Sequence, residues 1–192
     1  MTASAPGIAV GHYLLDKSAS RFTVRVFAGG MLSALGHSPT LAIRDFDGEA
    51  HFEPSAPSQA SLRVKIRADS IEVTDDVSNK DRREIESTMK QKVLETSKFP
   101  EIVYESAGVS AEPVADGRYK VAMNGGLSLH GVTRGFPVTM QVTFNGDMMR
   151  AYGEFSLLQS DYSIKPVTVA GGALKVKDEL KFAFDIVGRK QE

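Results

Sequence analysis

Leu127-Ser128-Leu129-His130-Gly131-Val132-Thr133-Arg134-Gly135-Phe136-Pro137-Val138 decides how the rest of this chain is read. Leu127 and Leu129 alternate with Ser128 and His130. Beyond a short polar turn, Val138, Met140, Val142 and Phe144 alternate with Thr139, Gln141 and Thr143. Apolar residues at every second position mark strands with one buried and one wetter face.

Working outward, the same period recurs. Phe22, Val24 and Val26 alternate with Thr23 and Arg25, and Leu62, Val64 and Ile66 with Arg63, Lys65 and Arg67. Further strands are predicted at Tyr13–Leu15, Leu41–Arg44, Ala50–Phe52 and Glu101–Ser106. Others follow at Tyr119–Met123, Met149–Leu157 and Leu180–Ile186. Asp47-Gly48, Asp116-Gly117 and Asn145-Gly146 read as turns between them, the last as the strongest hairpin signal. One segment breaks the pattern. Ile85, Met89 and Val93 recur every four residues, which is helical spacing. Ser78 with Asp81 three residues on starts a helix, and Pro100 disfavours helix at Phe99. The predicted helix therefore spans about residues 79–94. About eight or more short-linked strands with one inserted helix favour an antiparallel meander or barrel over a parallel sheet.

Composition narrows the chemistry. The 192 residues fit one domain: a lead-in over 1–11 and a barrel over 12–188. There is no cysteine, which excludes disulfides, zinc–thiolate and iron–sulfur sites and a cysteine nucleophile. With 23 basic and 24 acidic residues, nothing in the net charge favours nucleic acid or an anionic membrane. No run reaches the ~18 apolar residues of a membrane span. The first ten residues lack the basic and apolar regions of a secretory signal, so the expectation is a cytoplasmic protein. A periplasmic chain with its leader removed would read the same way.

Four segments carry a resemblance to a known family. Tyr13–Asp16 followed by Phe22-Thr23-Val24 is similar to the opening strand of the YceI-like family, although Lys17-Ser18-Ala19-Ser20 stands where that family often has a His-Ser pair. Asp45–Phe52 resembles its glycine-containing strand, and Lys98–Ser106 its passage from helix through proline to strand. Leu127–Val138 resembles its most recognisable segment. The resemblance implies an elongated, lipocalin-like all-β barrel of about eight antiparallel strands. Its apolar tunnel would hold a polyisoprenoid or related lipid.

The tunnel-wall candidates are the inward faces: Phe22, Val24, Phe52, Leu62, Val64, Ile66, Ile102, Tyr104, Leu127, Leu129, Met140, Phe144, Phe155, Phe182 and Phe184. Alternation by itself fits an ordinary packed core equally well. Seven methionines and ten phenylalanines suit an adaptable apolar wall. His37 and His130 are the candidate contacts to a lipid head group. None of the four histidines has the spacing of a metal site or a neighbouring group of ligand residues in sequence, so no metal and no cofactor are expected.

The expected function is non-covalent binding, storage or transport of an amphiphilic lipid, such as an isoprenoid quinone, a polyprenyl compound or a fatty-acid derivative. Two alternatives stand beside it. One is a small enzyme using His37 or His130 as acid–base. The other is a stress-linked interaction module with a vestigial pocket. No catalytic residue is assigned, because no Gly-x-Ser-x-Gly elbow occurs. A homodimer is compatible with the sequence.

Overall fold

A computed structural model describes residues 11–29, 38–169 and 174–191. Among the described residues twelve strands follow one another: β1 (Gly11–Leu15), β2 (Arg21–Gly29), β3 (Thr40–Ile43), β4 (Phe46–Phe52), β5 (Ser61–Arg67), β6 (Ile71–Val73), β7 (Glu101–Ala115), β8 (Arg118–Leu129), β9 (Val132–Asn145), β10 (Met148–Leu158), β11 (Thr168–Val169) and β12 (Leu174–Lys190). Helix α1 (Asn79–Thr88) lies between β6 and β7 and runs into a π-helical turn, Met89–Val93.

Eight strands close a ring in the order β1-β4-β5-β7-β8-β9-β10-β12, and β12 returns to β1; the pairings are antiparallel. β2, β3 and β6 continue the wall beyond β12 rather than forming a second sheet. Each prolongs a ring position. β1 and β2 both pair β12, while β3 leads into β4 and β5 into β6. Three neighbouring wall positions are thus strands broken in the middle.

The three breaks are stitched to one another by polar groups. Ser20 Oγ donates to the Asp16 carbonyl (2.6 Å) and accepts from Val187 N–H (2.9 Å). Asp45 N–H donates to Ser70 Oγ (3.0 Å), and Arg67 N–H donates to the Asp45 carbonyl (3.0 Å). The Asp45 carboxylate pairs with Lys17 from the first break and with Arg67 beside the third. A bend that frees backbone groups from the ladder must satisfy them elsewhere, and these contacts do so.

The long strands are joined by tight turns. β7 and β8 meet at Asp116-Gly117, β8 and β9 at His130-Gly131, and β9 and β10 at Gly146-Asp147. The β8–β9 turn is shorter than the sequence predicts. Val132 to Pro137 already belong to β9, and both turn residues have positive φ (His130 51°, Gly131 76°), as a two-residue type I′ hairpin requires. The turn predicted at Asn145-Gly146 is displaced by one residue, with Asn145 paired opposite Met148.

Asp47-Gly48 is not a turn. Both residues lie inside β4. Gly48 is there because a Cβ would sit 2.6 Å from Leu15 Cδ1 and 2.7 Å from the Arg63 carbonyl. The chain bends at Arg44-Asp45 instead. Gly125-Gly126 likewise lies within β8 and does not end it.

Helix α1 starts where the sequence places it. Ser78 Oγ accepts from Asp81 N–H (3.1 Å), an ordinary N-cap. Its position covers the open edge of β6: Glu86 accepts from Val73 N–H (2.9 Å) and Arg82 donates to the Val73 carbonyl. An exposed strand edge would otherwise invite pairing with another chain. The π turn lies within the predicted helical span. Here Leu94 N–H reaches back five residues to the Met89 carbonyl (2.8 Å). Met89, Ile85 and Leu94 pack on the same apolar cluster as Val24, Phe46 and Ile66.

Candidate functional site: an apolar lumen

The ring encloses a cavity of about 880 Å³. This lies in the range of small-molecule sites, ~300–1,000 Å³. All fifteen residues read from the sequence as inward-facing line it. Alternation positions them. On β8, for example, Val121, Met123, Leu127 and Leu129 are buried, while Ala122 and Asn124 are exposed.

The wall is rich in aromatic rings. Phe155 and Phe182 stack at 4.8 Å between centroids, and Phe22 meets Phe46, Phe155, Phe182 and Phe184 edge-on at 6.2–6.5 Å. Toward the Asp116-Gly117 and Gly146-Asp147 turns, Phe52 stacks on Phe144 at 4.5 Å and meets Tyr119 at 5.0 Å. Tyr13 closes on Phe144 at 5.5 Å.

Polar groups on the wall are few. Tyr104 OH donates to the Phe136 carbonyl (3.3 Å), and burial raises its phenol above the usual range. Gln159 is 4% exposed. Its amide nitrogen donates to the Lys177 carbonyl (2.9 Å), and no described residue donates to its Oε1. Gln159 itself borders the cavity. At the helix end the lining includes Asp76, Ser78, Asp81, Glu84 and Thr88, with Lys175 from β12. Among the described residues, every fully buried side-chain nitrogen or oxygen has a hydrogen-bond partner.

The sequence reading missed Gln159 and these helix residues. Asp81, Glu84, Ile85 and Thr88 share one helical stripe at spacings of three and four. The sequence shows this stripe, but only its apolar members predict an inward face. Gln159 carries no sequence signal, because its burial comes from the 3₁₀ turn Gln159–Tyr162 folding against β12.

His130 is not on the cavity wall. Its Nε2 pairs with Glu95 (2.9 Å), its Nδ1 lies 3.3 Å from the Tyr162 carbonyl, and Phe99 covers its ring at 4.5 Å. These contacts tie the β8–β9 turn to the end of the helix. They also hold a non-glycine residue at positive φ, which costs energy unless its surroundings compensate. The expected head-group contact is thus a structural clasp. His37 lies outside the described residues.

Two histidines that the sequence left apart do come together. His12 on β1 lies directly opposite His51 on β4, and Glu49 approaches His12 at 2.9 Å. This corrects the reading that no histidine has ligand-type neighbours. Strand parity places the side chains on the outer face, since the flanking Tyr13, Ala50 and Phe52 are buried, although His51 also borders the cavity. Strand parity alone places each of them outward. Only the β1–β4 pairing makes them neighbours.

A closed eight-stranded antiparallel barrel with one helix, built around an apolar lumen, places the molecule among lipocalin-like barrels. The chain belongs to the YceI-like domain family, whose sequence model matches residues 13–188. A UPF0312 protein of Pseudomonas fluorescens is 29% identical over 154 residues, spanning 79% of this chain and 72% of that protein. A UPF0312 protein of Photorhabdus laumondii is 25% identical over 195 residues, with 97% of this chain and 90% of the relative covered. Two solved structures share the fold. Burkholderia cenocepacia BcnA has a TM-score of 0.69 at 17% identity, covering 90% of this chain and 98% of that one. A polyisoprenoid binding domain from Saccharophagus degradans has a TM-score of 0.66 at 14% identity, covering 95% and 99%. No helix among the described residues is long and apolar enough to cross a membrane.

Proposed function

We propose that this protein binds one amphiphilic lipid non-covalently, tail in the lumen and polar end toward Gln159 and the helix, and that it stores or carries that lipid. The observation that carries the reading is the cavity of about 880 Å³ walled almost wholly by apolar side chains. An ordinary packed core has no such space. The fold shared with a polyisoprenoid binding domain supports a linear isoprenoid tail, as in an isoprenoid quinone or polyprenyl compound. Fatty-acid derivatives offer similar chemistry.

Energetics favour such a tail. Each buried methylene contributes ~0.8 kcal/mol, so one isoprene unit supplies up to about 4 kcal/mol gross. A few units outweigh the ordering cost of association. The same arithmetic makes discrimination by tail length weak, since one methylene is worth only about 1–3 kcal/mol. Selectivity then falls to the polar end, where Gln159 Oε1 accepts a hydrogen bond from a hydroxyl-bearing head. The enzyme alternative loses one of its two histidines, since His130 pairs with Glu95 and is not on the wall.

Native mass spectrometry of gently purified protein, followed by solvent extraction, tests the proposal. The expected result is about one lipid per chain. Ala151 is buried and faces the lumen, so Ala151→Phe should displace the tail and lower retention while the barrel stays folded. If added isoprenoid quinones and fatty acids both leave the mass of the unliganded protein unchanged, the proposal is wrong.

A further inference from the structure

We propose that His12, His51 and Glu49 form a binding site for a divalent transition metal, of the zinc, copper or nickel type, on the outer wall of the barrel. Each offers one ligand atom, and the three atoms lie within 4.8 Å of one another. The two imidazoles sit on directly opposed residues of β1 and β4 and stack with centroids 4.2 Å apart and planes 1° from parallel. Glu49 lies on the same outer face of β4, two residues from His51.

The ladder holds the three backbones in place, so binding orders only a few side-chain torsions. Two imidazole nitrogens and one carboxylate oxygen suit zinc, copper and nickel, whereas magnesium and calcium prefer all-oxygen sets. The side chains are part-exposed, 37% for His12 and 44% for Glu49. Water can therefore fill the remaining coordination positions. Parallel rings do not aim their lone pairs at one point, so metal entry must splay the stack and replace the His12–Glu49 hydrogen bond. Arg63 lies opposite Glu49 on β5 and opposes cation binding.

The position gives the site a consequence. β1 is the five-residue strand that closes the ring, paired to β4 on one side and β12 on the other. A metal joining β1 to β4 would staple that closure. Because it binds the folded state and not the separated strands, it would raise the melting temperature. The imidazoles lie on the outer face, although His51 also borders the cavity.

Isothermal titration of the whole protein with zinc chloride, with magnesium chloride as control, tests this. The expected result is one zinc ion per chain, no magnesium binding, and a rise in melting temperature with zinc. Each of His12→Asn and His51→Asn should weaken binding by about tenfold or more. The double variant should abolish it, and Glu49→Gln should weaken it. His37→Ala and His130→Ala should leave it unchanged. Copper paramagnetic resonance should show nitrogen coupling from two imidazoles. His51→Asn changes an exposed side chain, so it serves if the double variant misfolds. Zinc binding of undiminished affinity in His51→Asn, or binding that is lost in folded His37→Ala or His130→Ala, overturns the proposal, as does absence of binding at millimolar zinc.

Discussion

The two sides of the barrel are built on different principles. β7, β8, β9, β10 and β12 are 11–17 residues long, and tight turns join the first four in succession. Across the ring, the β1/β2, β3/β4 and β5/β6 positions are broken strands of 3–9 residues. The long side is organised by local chemistry, namely alternation and turn residues. The broken side depends on contacts between residues far apart in sequence, centred on Asp16, Ser20, Asp45 and Ser70. A barrel can thus bend one wall without leaving backbone groups unsatisfied, provided that the bends lie side by side and serve each other.

Substitutions on the two sides test this contrast. The largest effect is expected at the β8–β9 turn. In Gly131→Ala a side chain would take φ +76° and its Cβ would fall 2.7 Å from Phe99 Cε1. The expected loss is about 2–4 kcal/mol, read by urea unfolding. A loss no larger than that of an ordinary surface change would mean that the turn does not organise the long side.

Gly48→Ala probes the broken side at a position of ordinary strand geometry. Its Cβ would approach the Arg63 carbonyl, a backbone atom with little room to give, and Leu15. A destabilisation of about 1–3 kcal/mol is expected, measured the same way. If the variant is as stable as the parent, the tight passage of β4 past Leu15 and β5 is not what that wall requires.

The smallest effect is a matter of pH. Hydrogen bonds from Ser18 and Arg189 hold the Asp16 carboxyl down to about 2, from an ordinary 3.8. A carboxylate depressed in the folded state stabilises the protein above its unfolded pKa of ~3.9, and that contribution disappears as pH falls through the folded value. Between pH ~4 and ~2 the parent should therefore lose stability more steeply than Asp16→Asn. Parallel curves from thermal melts across that window would exclude Asp16 as a titrating stitch.

Much of the fold was legible in the sequence, and for identifiable reasons. Period two shows which side of a strand is apolar, and a closed barrel has only one inside. The fifteen lumen residues, from Phe22 to Phe184, therefore follow from parity once closure is assumed. Asp116-Gly117 was readable because glycine supplies positive φ locally. Asp47-Gly48 misled because a glycine needed for close approach looks the same in sequence as one needed for a turn. His130 misled for a related reason. In sequence it reads as a polar side chain at a strand end that could meet a ligand head group, whereas in the fold it meets Glu95, 35 residues away.

By itself, then, the amino-acid sequence determined the all-β class, the inserted helix with its Ser78 cap, and the apolar side of each long strand. All of these depend on neighbours within a few residues. Only the tertiary structure decided that the lumen is a cavity rather than a filled core, since empty volume depends on how opposing walls sum across the ring. It alone set Gln159 beside that space and aligned the three bends. It alone brought His12 against His51, because strand pairing between residues 39 positions apart is a property of the closed sheet and not of either strand.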